Sequence, residues 1–307
     1  MSRDVSGRFV VRLPFRDNKK QLGDSREIAL RRLSYLERKF KTKQEFYNQY
    51  SSFMREYIKL NHMSIVNSES TIMNPTYLPH HGVMHESSLT TKLRVVFDGS
   101  VRTTAGISLN DTLMIGARLQ DNLIDIMLRF RLHAIAITAD LKKMYRQILV
   151  HEADRDYQRI LWRSSVGEPI REFRLNTVTY GLSCAPFLAV RCVRHLASNA
   201  DDRLTQASQV LLNDLYVDDI LTGVSSIDEA TDLIKQLKEL LNNGGFEPHK
   251  WRSNYKEILH ELHSSEQIDE SLTVASDVNE THIKTLGLTW HPERDVFEFS
   301  VNSITRS

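Results

Sequence analysis

Apolar residues recur at helical spacing in the first seventy residues and predict two helices. The stripe of the first helix follows Asp24-Ser25 and consists of Ala29, Leu33, Leu36 and Phe40. The second helix is predicted to begin at a capping box formed by Thr42 and Glu45. Its apolar face would carry the aromatic residues Phe46, Tyr50, Phe53 and Tyr57. We interpret these aromatic side chains as core rather than as a stacking platform for bases.

Short apolar runs alternate with helical patterns through the rest of the chain. Residues 119–131 predict a helix that leads into an apolar, β-branched strand at 132–139. Residues 157–162 and 173–178 flank a turn-rich stretch and predict a hairpin. Two further helices are predicted, one from Cys184 to Asn199 and one from the capping box of Ser226 and Glu229 to Gly244-Gly245. This order of elements is typical of an α+β fold.

Two adjacent carboxylates stand out in the segment Tyr216-Val217-Asp218-Asp219. They lie between two apolar runs, 210–212 and 220–221, which we interpret as paired strands. Asp140 ends the apolar strand at 132–139, so its strand and that of Asp218 are predicted to meet in space. Carboxylate oxygens are the ligands that Mg²⁺ prefers. The sequence therefore predicts a divalent-metal site on a sheet.

Three histidines fall within six positions, at His80, His81 and His85. On a helix, the spacing of His81 and His85 would suit a zinc ion. Pro79 and Gly82 favour an extended chain instead, which breaks that spacing. A β-hairpin is therefore predicted here, and a zinc hydrolase is kept as a weaker alternative.

Charge is unevenly distributed, although the formal net charge of the chain is only +1. Residues 1–60 hold fifteen Lys and Arg against seven Asp and Glu, and residues 261–307 hold three against nine. The basic end would suit a polyanionic partner, but we interpret most of these charges as the solvated faces of helices. Asp154 and Asp214 are interpreted as surface charges.

Composition describes an ordinary globular protein, with 41% hydrophobic and 26% charged residues. Cys184 and Cys192 are too few for a zinc ribbon or a disulfide scaffold, and both are predicted to be buried in a reducing compartment. The sequence has neither the apolar core of a signal peptide nor a membrane-spanning run. A cytosolic or nuclear protein without a membrane partner is therefore expected.

The ordered motifs of the chain resemble the polymerase domain of reverse transcriptases, most closely that of the BEL/Pao class of long-terminal-repeat retrotransposons. The resemblance covers about residues 70–300. It rests on a fingers strand at Lys92–Asp98, motif A at Thr138–Tyr145, motif B at Tyr180–Phe187, motif C at Tyr216–Asp219, motif D at Phe246–Asn254 and a primer-grip region at Leu286–Trp290. The ordered set is far more specific than any member alone.

The resemblance implies an α+β right-hand polymerase fold, with fingers and a palm built on an antiparallel sheet. Residues 1–70 would be a helical lead-in, 71–300 the fingers and palm with the start of the thumb, and 301–307 a truncated end. The implied activity is RNA-directed DNA synthesis, in which deoxynucleoside triphosphates extend a primer on an RNA or DNA template. The rest of a retrotransposon polyprotein is an expected partner. A decayed or domesticated palm module that only binds nucleic acid, and another palm-fold enzyme such as a nucleotide cyclase, stay open as alternatives.

Catalysis by this family implies two Mg²⁺ ions, with Mn²⁺ as a substitute. Asp140 and Asp218 would be the main metal ligands, and Asp219 a weaker partner. The backbone carbonyl of Leu141 would complete the ion on the triphosphate side. Lys250 matches the motif D lysine that protonates the pyrophosphate leaving group.

Substrate contacts are likewise implied by the resemblance. Lys92 and Arg94 match the basic pair that binds the triphosphate. The alternative is that they are charged residues on an exposed edge strand, where they prevent pairing with other chains. Tyr145 matches the aromatic residue that would collide with a ribonucleotide 2′-hydroxyl. Tyr180 and Gly181 fall in the motif B turn, where glycine permits close backbone approach to the nucleotide or template.

Overall fold

The computed structural model describes residues 1–66, 75–84, 93–255, 257–258, 283–285 and 288–298. The chain divides into two compact units. The first unit comprises Met1–Leu119 and Lys143–Cys192, and the second comprises Gln120–Lys142 and Val193–Ser307. No helix among the described residues has the length and apolarity needed to span a membrane.

The described residues form α-helices and short strands, supplemented by 3₁₀ turns. The helices are α1 Arg26–Thr42, α2 Gln44–Lys59, α3 Leu123–Phe130, α4 Ala185–Ser198, α5 Thr205–Asn213 and α6 Ile227–Asn243. The strands are β1 Ser2–Arg3, β2 Phe9–Val11, β3 Met63–Ile65, β4 His80–Met84, β5 Leu93–Phe97, β6 Ile135–Leu141, β7 Leu149–Val150, β8 Arg159–Trp162, β9 Arg171–Leu175, β10 Leu215–Tyr216, β11 Asp219–Val224, β12 Pro248–Ser253, β13 Ile283–Thr285, β14 Leu288–His291 and β15 Val296–Glu298.

Helices α1 and α2 of the first unit confirm the predicted helical pair. The predicted stripe of α1 is buried, as are Phe46, Tyr50 and Tyr57 of α2. The predicted capping box is wrong, because Thr42 is the last residue of α1 and its hydroxyl donates to the carbonyl of Lys39 at 3.1 Å. The first 66 residues also contain β1, β2 and β3, and β2 pairs in parallel with β7.

Strands β4 and β5 form the predicted hairpin, with His80 opposite Phe97 and Met84 opposite Leu93. His80 is buried, and its Nε2 lies 3.0 Å from the carbonyl oxygen of Leu161. A carbonyl only accepts, so Nε2 carries the proton and Nδ1 accepts from the hydroxyl of Tyr50. Both ring nitrogens of His80 are therefore engaged, which argues against a zinc site. His85 lies outside the described residues.

Acid is expected to destabilise the fold through His80. Burial, the dominant cause, lowers the pKa of this imidazole from 6.5 to about 4. The unfolded chain therefore binds the proton more tightly, so stability is lost as the pH falls from about 6.5 towards 4. Between pH 7 and pH 5, the wild type should lose about 2 kcal/mol more unfolding free energy than a His80→Gln variant. Urea unfolding at the two pH values measures this difference, and equal losses would contradict it.

The β8 and β9 hairpin is also confirmed, with Ile160 opposite Phe173. The assignment of Asp154 to the surface, by contrast, is wrong. Its side chain is fully buried and accepts from Arg12 Nε at 2.6 Å, Arg12 Nη2 at 3.0 Å and the backbone N–H of Leu13 at 3.0 Å. These charge-assisted hydrogen bonds replace the water that a buried carboxylate loses.

Both cysteines are buried with free thiols, as predicted. Cys192 lies in α4, and Cys184 immediately precedes that helix. Burial raises the pKa of each thiol to about 12. The two thiols are therefore protonated and unreactive at neutral pH.

The second unit is built on an antiparallel sheet with the strand order β10, β11, β6, β12. Helix α6 begins as predicted, with Ser226 Oγ accepting from the backbone N–H of Glu229 at 3.3 Å. The side chain of Glu229 in turn accepts from the backbone N–H of Ser225 at 3.0 Å. The buried residues Leu233, Leu237 and Leu241 form its apolar stripe.

Two predictions near motif C are wrong. Residues 210–212 are not a strand but belong to α5, and only Leu215–Tyr216 pair with β11. A short apolar run fits either structure, so its length and composition did not distinguish them. Asp214 is not a surface charge. It is 8% exposed and accepts from Arg129 Nε at 3.0 Å and Thr222 Oγ1 at 2.9 Å.

The most C-terminal described strands form a separate antiparallel sheet in the order β13, β14, β15. Trp290 of β14 is buried and its ring packs edge-on against Phe130 of α3, with centroids 5.1 Å apart. Of the predicted primer-grip region, Leu286 and Gly287 lie outside the described residues.

Candidate active site

Asp140 and Asp219 lie directly opposite each other in the antiparallel pairing of β6 and β11. Asp218 occupies the turn between β10 and β11, and its carbonyl accepts from the backbone N–H of Leu141 at 2.8 Å. The predicted meeting of the two strands is therefore confirmed. The sheet brings three carboxylate-bearing residues to one end of two adjacent strands.

The turn that carries Asp218 has an unusual backbone. Tyr216 pairs with Asp219, so Val217 and Asp218 are its two central residues. Val217 has a φ of 56°, in the left-handed region that a β-branched residue rarely adopts. A hairpin turn of this length usually has glycine, asparagine or aspartate at such a position. Asp218 and Asp219 therefore lie on a strained hairpin.

Burial and neighbouring negative charge together raise the pKa of Asp219 to about 7. Burial is the largest cause, followed by repulsion from Asp218 and Asp140. The positive charge of Lys250 acts in the opposite direction but only partly offsets these effects. A cation bound among these groups would lower this pKa again.

Lys250 supplies positive charge at Asp140, with Nζ 3.2 Å from Oδ2. His249, which the sequence analysis overlooked, also approaches Asp140, with Nε2 3.6 Å from Oδ1. Burial lowers the pKa of His249, and the negative charge of Asp140 partly opposes this shift. Neighbouring strand residues normally point to opposite faces, but β12 has an irregularity after His249 and Lys250 has a φ of 53°. The irregular backbone explains how both side chains reach one carboxylate.

The donor chemistry fits a hard divalent cation. Carboxylate oxygens of Asp140, Asp218 and Asp219 are the preferred ligands of Mg²⁺ and Mn²⁺. Among the described residues, no three His, Cys, Asp or Glu side chains stand as a preformed ligand set. The donor chemistry still favours a cation, because burial and then repulsion from Asp218 and Asp140 raise the pKa of Asp219, and a bound cation would relieve the repulsive part of this shift.

The other predicted site residues belong to the first unit. Arg94 is exposed on β5, and its proposed partner Lys92 lies outside the described residues. The rings of Tyr145 and Tyr180 are in contact, with centroids 4.7 Å apart. Gly181 has a φ of 102°, and a Cβ there would lie 1.9 Å from the carbonyl oxygen of Phe97. The close approach that requires glycine at position 181 is thus between the motif B turn and β5 of the same chain.

Comparison with known proteins shows which family the chain matches. Residues 86–289 match the family model described as reverse transcriptase (RNA-dependent DNA polymerase). The crystal structure of the prototype foamy virus protease-reverse transcriptase CSH mutant is similar with a TM-score of 0.50 and 14% identity over 67% of this chain. This likeness supports the fold alone, and it confirms the predicted palm and fingers architecture.

A foamy viral protease-reverse transcriptase dRH, solved in complex with ds DNA, has a TM-score of 0.48 and 16% identity over 77% of this chain. The chain spans 24% and 32% of the lengths of these two viral proteins. No curated protein sequence matches it. Because the family model covers most of the chain, we conclude that the chain belongs to the reverse transcriptase (RNA-dependent DNA polymerase) family, whose members are nucleotidyltransferases.

Proposed function

We propose that this chain is the RNA-directed DNA polymerase domain of a BEL/Pao-class retrotransposon polyprotein. It would add deoxynucleotides to the 3′-hydroxyl of a primer on an RNA or DNA template. The observation that supports this function best is the pairing of Asp140 with Asp219, beside Asp218 in the hairpin turn. The BEL/Pao assignment rests on the ordered motifs of the sequence.

In this proposal, Asp140 and Asp218 hold the catalytic metal ions, with Asp219 and the carbonyl of Leu141 as supporting ligands. Two Mg²⁺ ions, or Mn²⁺ in their place, would neutralise charge that develops on the attacking and leaving oxygens. The sheet contributes rigidity, because Asp140 and Asp219 are fixed by strand pairing. Ligands on rigid elements need little reorganisation during the reaction.

Lys250 would donate a proton to the pyrophosphate leaving group. Its ammonium already lies beside Asp140, 3.2 Å from a carboxylate oxygen, so it is close to the proposed reaction centre. A lysine ammonium is both a proton source and a partner for phosphate oxygens.

Substrate recognition would fall to the other residues that the sequence motifs assign. The exposed guanidinium of Arg94 is suited to a triphosphate, and Lys92 stays a prediction from the sequence. Tyr180 would hold the ring of Tyr145 in place, since the two rings pack against each other. Gly181 would keep the motif B turn against β5.

Removal of the ring at Tyr145 is expected to admit ribonucleotides. A Tyr145→Val variant should lose about tenfold or more of its preference for deoxynucleotides, because the ring no longer repels the 2′-hydroxyl. Tyr145→Phe is the matched control and should keep the preference, since it retains the ring. Single-nucleotide insertion with paired ribo- and deoxynucleotides measures both variants. Equal discrimination by all three proteins would show that Tyr145 is only a packing residue.

Primer extension by the purified 307-residue chain tests the proposed function directly. A DNA primer should be extended on matched RNA and DNA templates in Mg²⁺. Binding of primer-template without extension, in both Mg²⁺ and Mn²⁺, would favour the non-catalytic palm module. Extension on DNA templates alone would contradict RNA-directed synthesis.

A further inference from the structure

Gln120 contacts the strained turn that carries the candidate metal ligands. The backbone N–H of Val217 donates to the side-chain Oε1 of Gln120 at 3.1 Å. This N–H lies outside the strand ladder, because the pairing of β10 and β11 ends at Tyr216 and Asp219. The side chain of Gln120 thus satisfies a turn N–H at a position where the backbone φ is 56°.

A left-handed valine is unfavourable by itself, so surrounding contacts must maintain it. Without an acceptor for the N–H of Val217, this conformation of the turn would be less stable. On the other side, Asp218 is fixed through its carbonyl, which accepts from Leu141 N–H at 2.8 Å. A backbone group of each central residue of the turn is therefore hydrogen-bonded to a neighbouring segment.

The segment that carries Gln120 is also linked to the β10–β11 hairpin by ion pairs. The next residue, Asp121, is 3.0 Å from Nη2 of Arg129. Nε of the same guanidinium lies 3.0 Å from Asp214, the residue that precedes β10. One arginine thus connects the segment that presents Gln120 with the start of the hairpin that receives its hydrogen bond.

We infer that Gln120 is a positioning residue for the catalytic turn. Its carboxamide oxygen holds Val217 in the left-handed conformation, and this conformation sets the positions of the Asp218 and Asp219 carboxylates. The role in catalysis rests on the proposed function, whereas the effect on the turn does not. Nothing in the sequence motifs assigns a role to Gln120, which lies outside all six of them.

The test replaces Gln120 with leucine, which keeps the size of the side chain and removes the acceptor. In the metal-free protein, exchange of the Val217 amide with deuterium should accelerate about tenfold or more, because its hydrogen bond is lost. The apparent dissociation constant for Mn²⁺, followed by electron paramagnetic resonance, should rise about tenfold because the ligands are less preorganised. A Gln209→Leu variant, at an exposed position on α5, is the matched control and should change neither quantity.

A second substitution separates positioning from general support of the fold. Glycine adopts positive φ without strain, so Val217→Gly should make the turn independent of Gln120. In that background, Gln120→Leu should weaken Mn²⁺ binding by less than about threefold, which gives a strong coupling in a double-mutant cycle. The same loss in both backgrounds would overturn the inference, as would unchanged amide exchange in Gln120→Leu.

Catalysis supplies a third readout. If the chain extends primers, Gln120→Leu should lower kcat about tenfold and leave the KM for deoxynucleotides within about twofold, since the nucleotide contacts are unchanged. A rise in KM with constant kcat would overturn the positioning role. A wild-type chain without polymerase activity would refute the proposed function, while the exchange experiment would still decide the role of Gln120.

Discussion

Replacement of Asp140 or Asp218 by asparagine is expected to reduce primer extension by about three orders of magnitude. Each change removes a negatively charged metal ligand and substitutes a neutral side chain of nearly equal volume, so charge stabilisation at the reacting phosphate is lost. The stability of the fold should not fall. Burial is the largest cause of the raised pKa of Asp219, and repulsion from Asp218 and Asp140 adds to it. Each substitution removes one of these two charges, so it should lower this pKa part of the way towards its ordinary value.

Steady-state extension and urea unfolding of the same preparations measure these effects. Asp232→Asn is the matched control, because Asp232 is exposed on α6 in the same unit and should tolerate the change. Extension within about threefold of wild type by either Asp140→Asn or Asp218→Asn would show that the carboxylates are not the catalytic ligands. A large loss of stability in either variant would instead indicate a structural role.

Of the proposed substitutions, Gly181→Ala should lower the free energy of unfolding most, by about 4 kcal/mol or more. The added Cβ would lie 1.9 Å from the backbone carbonyl oxygen of Phe97, and the backbone φ of 102° is unfavourable for alanine. The site cannot relax easily, because the carbonyl of Gly181 also accepts from Asn110 Nδ2 at 2.9 Å. Urea unfolding measures the change in free energy.

Alanine substitutions at two other glycines separate the cost of backbone strain from the cost of the steric clash. Gly106 has a φ of 79° with open space where an added Cβ would lie, so Gly106→Ala should cost only about 1 kcal/mol from backbone strain. Gly167 has neither a positive φ nor a close neighbour, and Gly167→Ala should be neutral or slightly stabilising. If Gly181→Ala cost no more than Gly106→Ala, the clash with β5 would be refuted as the reason for glycine in motif B.

The sequence was most informative where the local pattern and the required chemistry agreed. Asp140 was correctly placed near the end of a buried strand, because a continuous apolar run before a carboxylate is typical of one. The strand itself runs over Ile135–Leu141 and not over the predicted 132–139. The start of α6 was also predictable, since its capping interactions involve residues three or four positions apart. Neither prediction needed knowledge of distant contacts.

The failures concern interactions between residues far apart in the sequence. Asp154 and Asp214 looked like surface charges because the arginines that pair with them, Arg12 and Arg129, belong to other elements. Polarity patterns do not identify such partners. His249 was overlooked for a different reason. Its strand is irregular, so successive side chains do not alternate between the two faces of the sheet as pattern analysis assumes.

The two buried thiols can serve as native probes of local unfolding. Since Cys184 and Cys192 are inaccessible and protonated in the folded state, an alkylating reagent can reach them only when the chain around α4 opens. The rate of thiol labelling under native conditions therefore measures how often this segment of the chain opens. Both probes are already present in the wild-type sequence, so the opening of this segment can be followed without any added label or engineered residue.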